Sequence, residues 1–165
     1  MNNNAVLKIA IQGYPGSFHD EAARKFFMGE EDLELVPANT FDILAKKLVD
    51  QEVDYAVMAI ENSIAGTLLQ NYRILRENNF WIVGETYLRI QHNLLVNPGV
   101  QLEDIRQVFS HPMALNQCLD FLSTIPGATL VEHPDTALSA IELAQKPNRE
   151  HACIASLKAA ELTGL

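Results

Sequence analysis

The sequence predicts an α/β protein with mainly parallel sheets. Three observations carry that prediction. Apolar runs of strand length alternate repeatedly with segments of helical periodicity. Turn clusters rich in Gly, Pro, Ser and Asn separate them at close intervals. With 165 residues, 48% hydrophobic and 20% charged, the chain has the composition of one ordinary domain or two small lobes.

Each element follows from its own residues. Residues 6–11 read as a strand, closed by the turn Gln12-Gly13-Tyr14-Pro15-Gly16-Ser17. Ser17 then suits an N-cap, Asp20 and Glu21 fill the first turn, and Phe18, Ala22, Ala23, Phe26 and Phe27 form an apolar stripe. Residues 33–36 give a second strand. Thr40 caps a helix carrying Phe41, Leu44, Leu48 and Val49. Residues 55–60 are nearly all apolar, as a strand covered on both faces should be. They run into Glu61-Asn62-Ser63, then Gly66-Thr67, then a helix near 68–76. Residues 81–88 read as a strand that continues without a turn signal towards Val96, which suggests a crossing between lobes. The boundary is placed so that residues 1–86 form the first lobe and 87–165 the second. A second series follows: strand 108–109, helix 113–122, strand 129–132, helix 137–145, strand 152–155, and a last helix capped by Ser156 and ended by Gly164.

Charge and composition exclude several classes of function. Twelve basic against 21 acidic residues give a net charge of −9. A nucleic-acid binder needs a basic footprint, and an anionic membrane surface attracts one, so neither partner is expected. Cys118 and Cys153 sit in apolar segments and read as reduced core thiols. The N-terminus shows no leader pattern, and the expected location is cytoplasmic. The five histidines are scattered, and no metal site is expected.

Ligands of open α/β sheets bind beyond the carboxyl ends of the strands. Four segments fall there: 13–18, 61–67, 110–112 and 135–136. Each places hydroxyls, a carboxamide or backbone amides at or near a helix start, where anions are favoured. None of the Lys and Arg residues lies in them. Individually, Ser17, Thr40, Ser110, Thr136 and Ser156 read as N-caps, and the 13–16 turn lacks the residues of a phosphate loop. His111 suits a ligand contact or a supporting role. His19 and His92 suit packing or exposed positions. Glu61-Asn62-Ser63 has less structural reason to be that set.

Taken together, five segments resemble the prephenate dehydratase family over essentially the whole chain. They are the strand and turn ending in Gly13-Tyr14-Pro15-Gly16-Ser17-Phe18; residues 55–67, which include Ile60-Glu61-Asn62-Ser63; the crossing segment 82–94; Ser110-His111-Pro112-Met113-Ala114-Leu115-Asn116-Gln117-Cys118; and Asp135-Thr136-Ala137 with residues 152–165. The resemblance implies two α/β lobes like those of type II periplasmic binding proteins, with the active site in the cleft. It implies a lyase that turns prephenate into phenylpyruvate, water and carbon dioxide in phenylalanine biosynthesis, with no cofactor and no metal. Asn62, Ser110 and Gln117 are then expected to bind the substrate, with Glu61 orienting neighbouring donors. Gly16, Ser17, Phe18, Ser63, His111 and Thr136 complete the expected site. The alternatives are an arogenate dehydratase, or a non-catalytic module that binds small anions. Three residues depart from the family pattern: Tyr14 for a common Pro, Ser17 for Thr, and Met113 for Gln. The family's Thr-Arg-Phe motif, its return strand to the first lobe and its ACT regulatory domain are absent from these residues. The chain alone is therefore expected to be inactive, its first sheet to keep an unpaired edge, and the full-length enzyme to be a homo-oligomer, dimer or tetramer.

Overall fold

The computed structural model describes residues 6–30, 32–64 and 66–165. In chain order the elements of the first part are β1 (Leu7–Gln12), α1 (Phe18–Phe26), β2 (Leu33–Ala38), α2 (Phe41–Val49), β3 (Tyr55–Val57), β4 (Glu61–Asn62), β5 (Gly66–Thr67) and α3 (Leu69–Glu77). Those of the second are β6 (Asn93–Val96), β7 (Gln107–Ser110), α4 (Pro112–Gln117), α5 (Leu119–Leu122), β8 (Thr129–Glu132), α6 (Thr136–Gln145), β9 (His151–Ala155) and α7 (Leu157–Thr163). The chain divides into two units. One is Met1–Pro15 with His19–Leu88; the other is Gly16–Phe18 with Arg89–Leu165. The tripeptide Gly16–Phe18, placed in the first lobe by sequence, thus belongs to the second unit.

In the first unit β1 is the central strand of a parallel sheet in the order β2-β1-β3. A central strand is buried on both faces, which is why Ile9, Ala10 and Ile11 are consecutive, apolar and fully buried. Alternation still sorts them. Ile9 and Ile11 pack with Ala23 of α1, whereas Ala10 packs with Leu44 of α2. One helix therefore covers each face. Thr40 caps α2 as expected, its Oγ1 accepting from the Ile43 amide at 3.2 Å.

The second unit holds a four-stranded sheet in the order β6-β9-β7-β8. Strands β9, β7 and β8 are parallel, and β6 runs antiparallel to β9. Val108, Ala152 and Ile154 meet Ala114, Leu115 and Leu122 from α4 and α5 in one core. Burying each large aliphatic side chain of this kind contributes about 1.5–3 kcal/mol.

Several expected elements differ. No strand forms over 81–88: Trp81 is 91% and Tyr87 82% exposed, and no ladder partner reaches them among the described residues. A β-rich composition makes a strand only when another strand supplies its hydrogen bonds. The strand expected over 55–60 stops at Val57 and lies at a sheet edge, with Ala56 packed on the α2 side of the sheet and Val57 on the α1 side. Glu61–Asn62 and Gly66–Thr67 instead form the antiparallel pair β4–β5. The helix expected over 113–122 breaks at Cys118, which ends α4 and starts α5. The caps also move by one residue. His111 rather than Ser110 caps α4, and Asp135 rather than Thr136 caps α6. In both, the extended residue just before the first helical amide is the one whose side chain reaches back.

Candidate functional site

The donor-bearing residues at the first unit's strand ends are built from β1, β3 and the β4–β5 pair. Gly13 follows β1 at φ +92, and its amide donates to the Ala38 carbonyl at 2.8 Å. The phenol of Tyr14 donates to Asn39 Oδ1 at 3.3 Å, so the residue that departs from the family pattern ties this turn to the end of β2. Below Glu61 the backbone is clamped twice. The Leu68 amide donates to the Ile60 carbonyl at 2.9 Å. Asn71, buried on α3, donates to the Ala59 carbonyl at 2.7 Å. Sequence reasoning missed Asn71. Its signal was a carboxamide three residues before buried Ile74, on the helix face that should be apolar.

Asn62 leaves this clamped strand with its Oδ1 accepting from the Ile64 amide at 2.9 Å. That local turn holds the carboxamide oxygen against its own backbone. Glu61 and Ser63 beside it are exposed. His19 stands one turn after β1 with its ring edge-on to Phe41, centroids 5.5 Å apart. A ring N–H donates to the Gln12 carbonyl, while Nε2 is shut off from solvent with no partner. Burial pushes this imidazole down to about 4, with the Gln12 contact opposing.

In the second unit Gly16 takes φ +86 and packs so closely on α7 that an added Cβ would lie 2.9 Å from the Ala159 Cα. Its carbonyl accepts from Ser156 Oγ at 2.6 Å, and the same Oγ accepts from the Ala159 amide at 2.9 Å. Ser156 thus caps α7 and anchors the turn together. Ser17 next to it is buried. Phe18, expected at the ligand, lays its ring against His92. Ser110 is fully buried, and its hydroxyl donates to the Ile154 carbonyl at 2.6 Å, tying the end of β7 to β9. His111 is exposed and accepts the Met113 amide on Nδ1 at 3.2 Å. The carbonyl of half-buried Thr136 accepts from Ser139 Oγ at 2.6 Å. Asp135 holds the Leu138 amide at 2.8 Å, and burial raises its carboxyl above the usual carboxylate range. Gln117 Oε1 lies 2.8 Å from His92 Nε2.

Both cysteines are free thiols. Burial raises Cys118, and raises Cys153 to about 12, so neither is set up as a nucleophile. Among the described residues no three His, Cys, Asp or Glu side chains gather as metal ligands. No helix among them is long and apolar enough to cross a membrane.

Two α/β units with hydrogen-bonding side chains at their strand ends make this a protein of the periplasmic-binding-protein-like fold class, as its solved structural neighbours are. The prephenate dehydratase family profile matches residues 9–165, and the chain belongs to that family. It is 38% identical over 165 residues to arogenate dehydratase/prephenate dehydratase 2, chloroplastic, of Arabidopsis thaliana, covering 100% of this chain and 42% of that one. The prephenate dehydratase of Staphylococcus aureus subsp. aureus Mu50 superposes with a TM-score of 0.77 at 25% identity, over 96% of this chain and 58% of that one. GqqA, described as a novel type of quorum quenching acylase, superposes with a TM-score of 0.80 at 34% identity, over 95% and 56%. The chain therefore spans about two fifths of the length of the curated relatives it matches. The expectation of a cytoplasmic location is overturned, because Arabidopsis relatives are named as chloroplastic proteins. That expectation rested on the first residues of a chain aligned to under half of its relatives, where a leader pattern carries no weight.

Proposed function

We propose that this chain carries substrate-binding residues of a dehydratase acting on prephenate or on arogenate, its amino analogue. The observation that carries the reading is the family match over residues 9–165, which spans Asn62 and Gln117. In the reaction a ring hydroxyl leaves as water, the ring carboxylate leaves as carbon dioxide, and the ring becomes aromatic. The driving force lies in the substrate. The protein must hold two carboxylates and polarise the departing hydroxyl, which fixed neutral donors can do.

The residues divide by task. Asn62 and Gln117 act as carboxamide donors to the substrate. Ser17 and the amides of the turn around Gly16 hold a carboxylate, with Phe18 supporting His92 from behind. Ser110 keeps the end of β7 on β9, so that His111 and the start of α4 stay in place. Glu61 and Ser63 flank Asn62 and orient it, and Thr136 supports the start of α6. Like its relatives the enzyme is a lyase of aromatic amino-acid biosynthesis.

Calorimetric titration of the chain with prephenate and with arogenate tests the reading. Binding of at least one is expected, weakened about tenfold by Asn62→Ala, the loss of one good hydrogen bond to a charged group. No binding of either anion, or an unchanged affinity in the variant, would refute it. The likeness to GqqA favours one second reading, an acylase of quorum-sensing signals, and free acid released from an N-acyl amide by this chain would establish that instead.

A further inference from the structure

Gln117 is the last residue of α4, and its side chain is held from outside the helix. His92 stands directly before β6, with Nε2 at 2.8 Å from Gln117 Oε1. The imidazole packs on Phe18, ring centroids 5.3 Å and planes 79° apart, an edge-to-face contact that fixes its rotation. Its other nitrogen, Nδ1, is buried with no hydrogen-bond partner. All three residues belong to the second unit.

Those facts select one arrangement of protons. A neutral imidazole donates from one nitrogen and accepts on the other. A proton on Nδ1 would leave a buried N–H with no acceptor, which is rarer in proteins than an unused lone pair. A proton on Nε2 meets Gln117 Oε1 and leaves only a lone pair idle. The acceptor and donor of a carboxamide lie on opposite sides of the group. With Oε1 held by His92, the NH2 of Gln117 is turned away from the imidazole. A loose carboxamide can rotate and offer its oxygen instead, which repels a carboxylate; the clamp removes that orientation.

We propose that His92 is a positioning residue, whose Nε2–H holds Gln117 Oε1 so that the Gln117 NH2 is presented to the anionic substrate. This rests on the role given to Gln117 above, and the experiment separates the two. Nitrogen NMR of the imidazole in the free chain should show the proton on Nε2. His92→Phe keeps the ring contact with Phe18 but loses the N–H, and should weaken binding of whichever anion the chain takes, prephenate or arogenate, about tenfold. His92→Gln returns an N–H near the same place and should recover affinity to within about threefold of the original. In a Gln117→Ala background, His92→Phe should cost nothing further, because the group it orients is gone. A proton on Nδ1 overturns the proposal. So does a His92→Phe effect that is absent, or equal in both backgrounds, as packing alone would give. If Gln117→Ala leaves affinity unchanged, the substrate role of Gln117 has failed and the proposal falls with it, while the NMR result still reports whether the clamp exists.

Discussion

His19 shows how a single residue can carry a pH dependence that no motif announces. Its Nε2 is sealed from water beside Phe41, and desolvation pushes the imidazole down to about 4 from an ordinary 6.5. Above pH 6.5 the ring is neutral in both folded and unfolded chains. Between 6.5 and 4 only the unfolded chain takes up the proton. Stability attributable to His19 is thus complete above the unfolded value and falls as pH drops through this window. The residue as a whole is half-buried, so we expect a loss of about 2 kcal/mol rather than the full value of the shift. Urea unfolding at pH 7.5 and 4.5 measures it. His19→Gln should flatten the difference relative to the parent chain, and an identical pH dependence in both would exclude His19 as its source. The sequence placed His19 just after a turn, but its environment comes from Phe41 on another helix, which local reading does not supply.

Gly16 and α7 make the corresponding point for elements. Gly16 sits at φ +86, and a Cβ there would meet the Ala159 backbone at 2.9 Å. Gly29 has φ +118 with nothing near its added Cβ. Gly16→Ala should therefore cost clearly more than Gly29→Ala, about 3 kcal/mol or more against about 1–2, since backbone strain is common to both and overlap is added only at Gly16. Chemical denaturation of the two variants checks it, and equal costs would mean that the turn moves freely off α7. The helices here were legible where the signal is local. Thr40 and Ser156 cap α2 and α7 as their sequences indicate, and Gly164 ends α7 in the left-handed conformation at φ +76. The Ser110 and Thr136 caps were misplaced by one position. The rule that hydroxyls cap helices does not register that His111 and Asp135 can do the same from the adjoining residue.

At the scale of the whole molecule, the segment after α3 is the main departure from the sequence reading. Residues 81–92 form no regular element, and Trp81, Ile82, Val83 and Tyr87 are exposed. Trp81 is the single tryptophan, so its fluorescence reports this strip alone. Dilute protein should emit as a solvated indole and be readily quenched by iodide. A blue emission protected from iodide would instead mean that the indole is covered. The alternation of strands and helices, the turn positions, two of the caps and the family were determined by the sequence itself. Periodicity and capping are written within a few neighbouring residues. Only the tertiary structure decided that 81–88 would not pair, that Ser156 would hold the carbonyl of Gly16 140 residues away, and that His92 would meet Gln117. Each of those depends on a partner distant along the chain, and a partner of that kind leaves no mark in the local pattern.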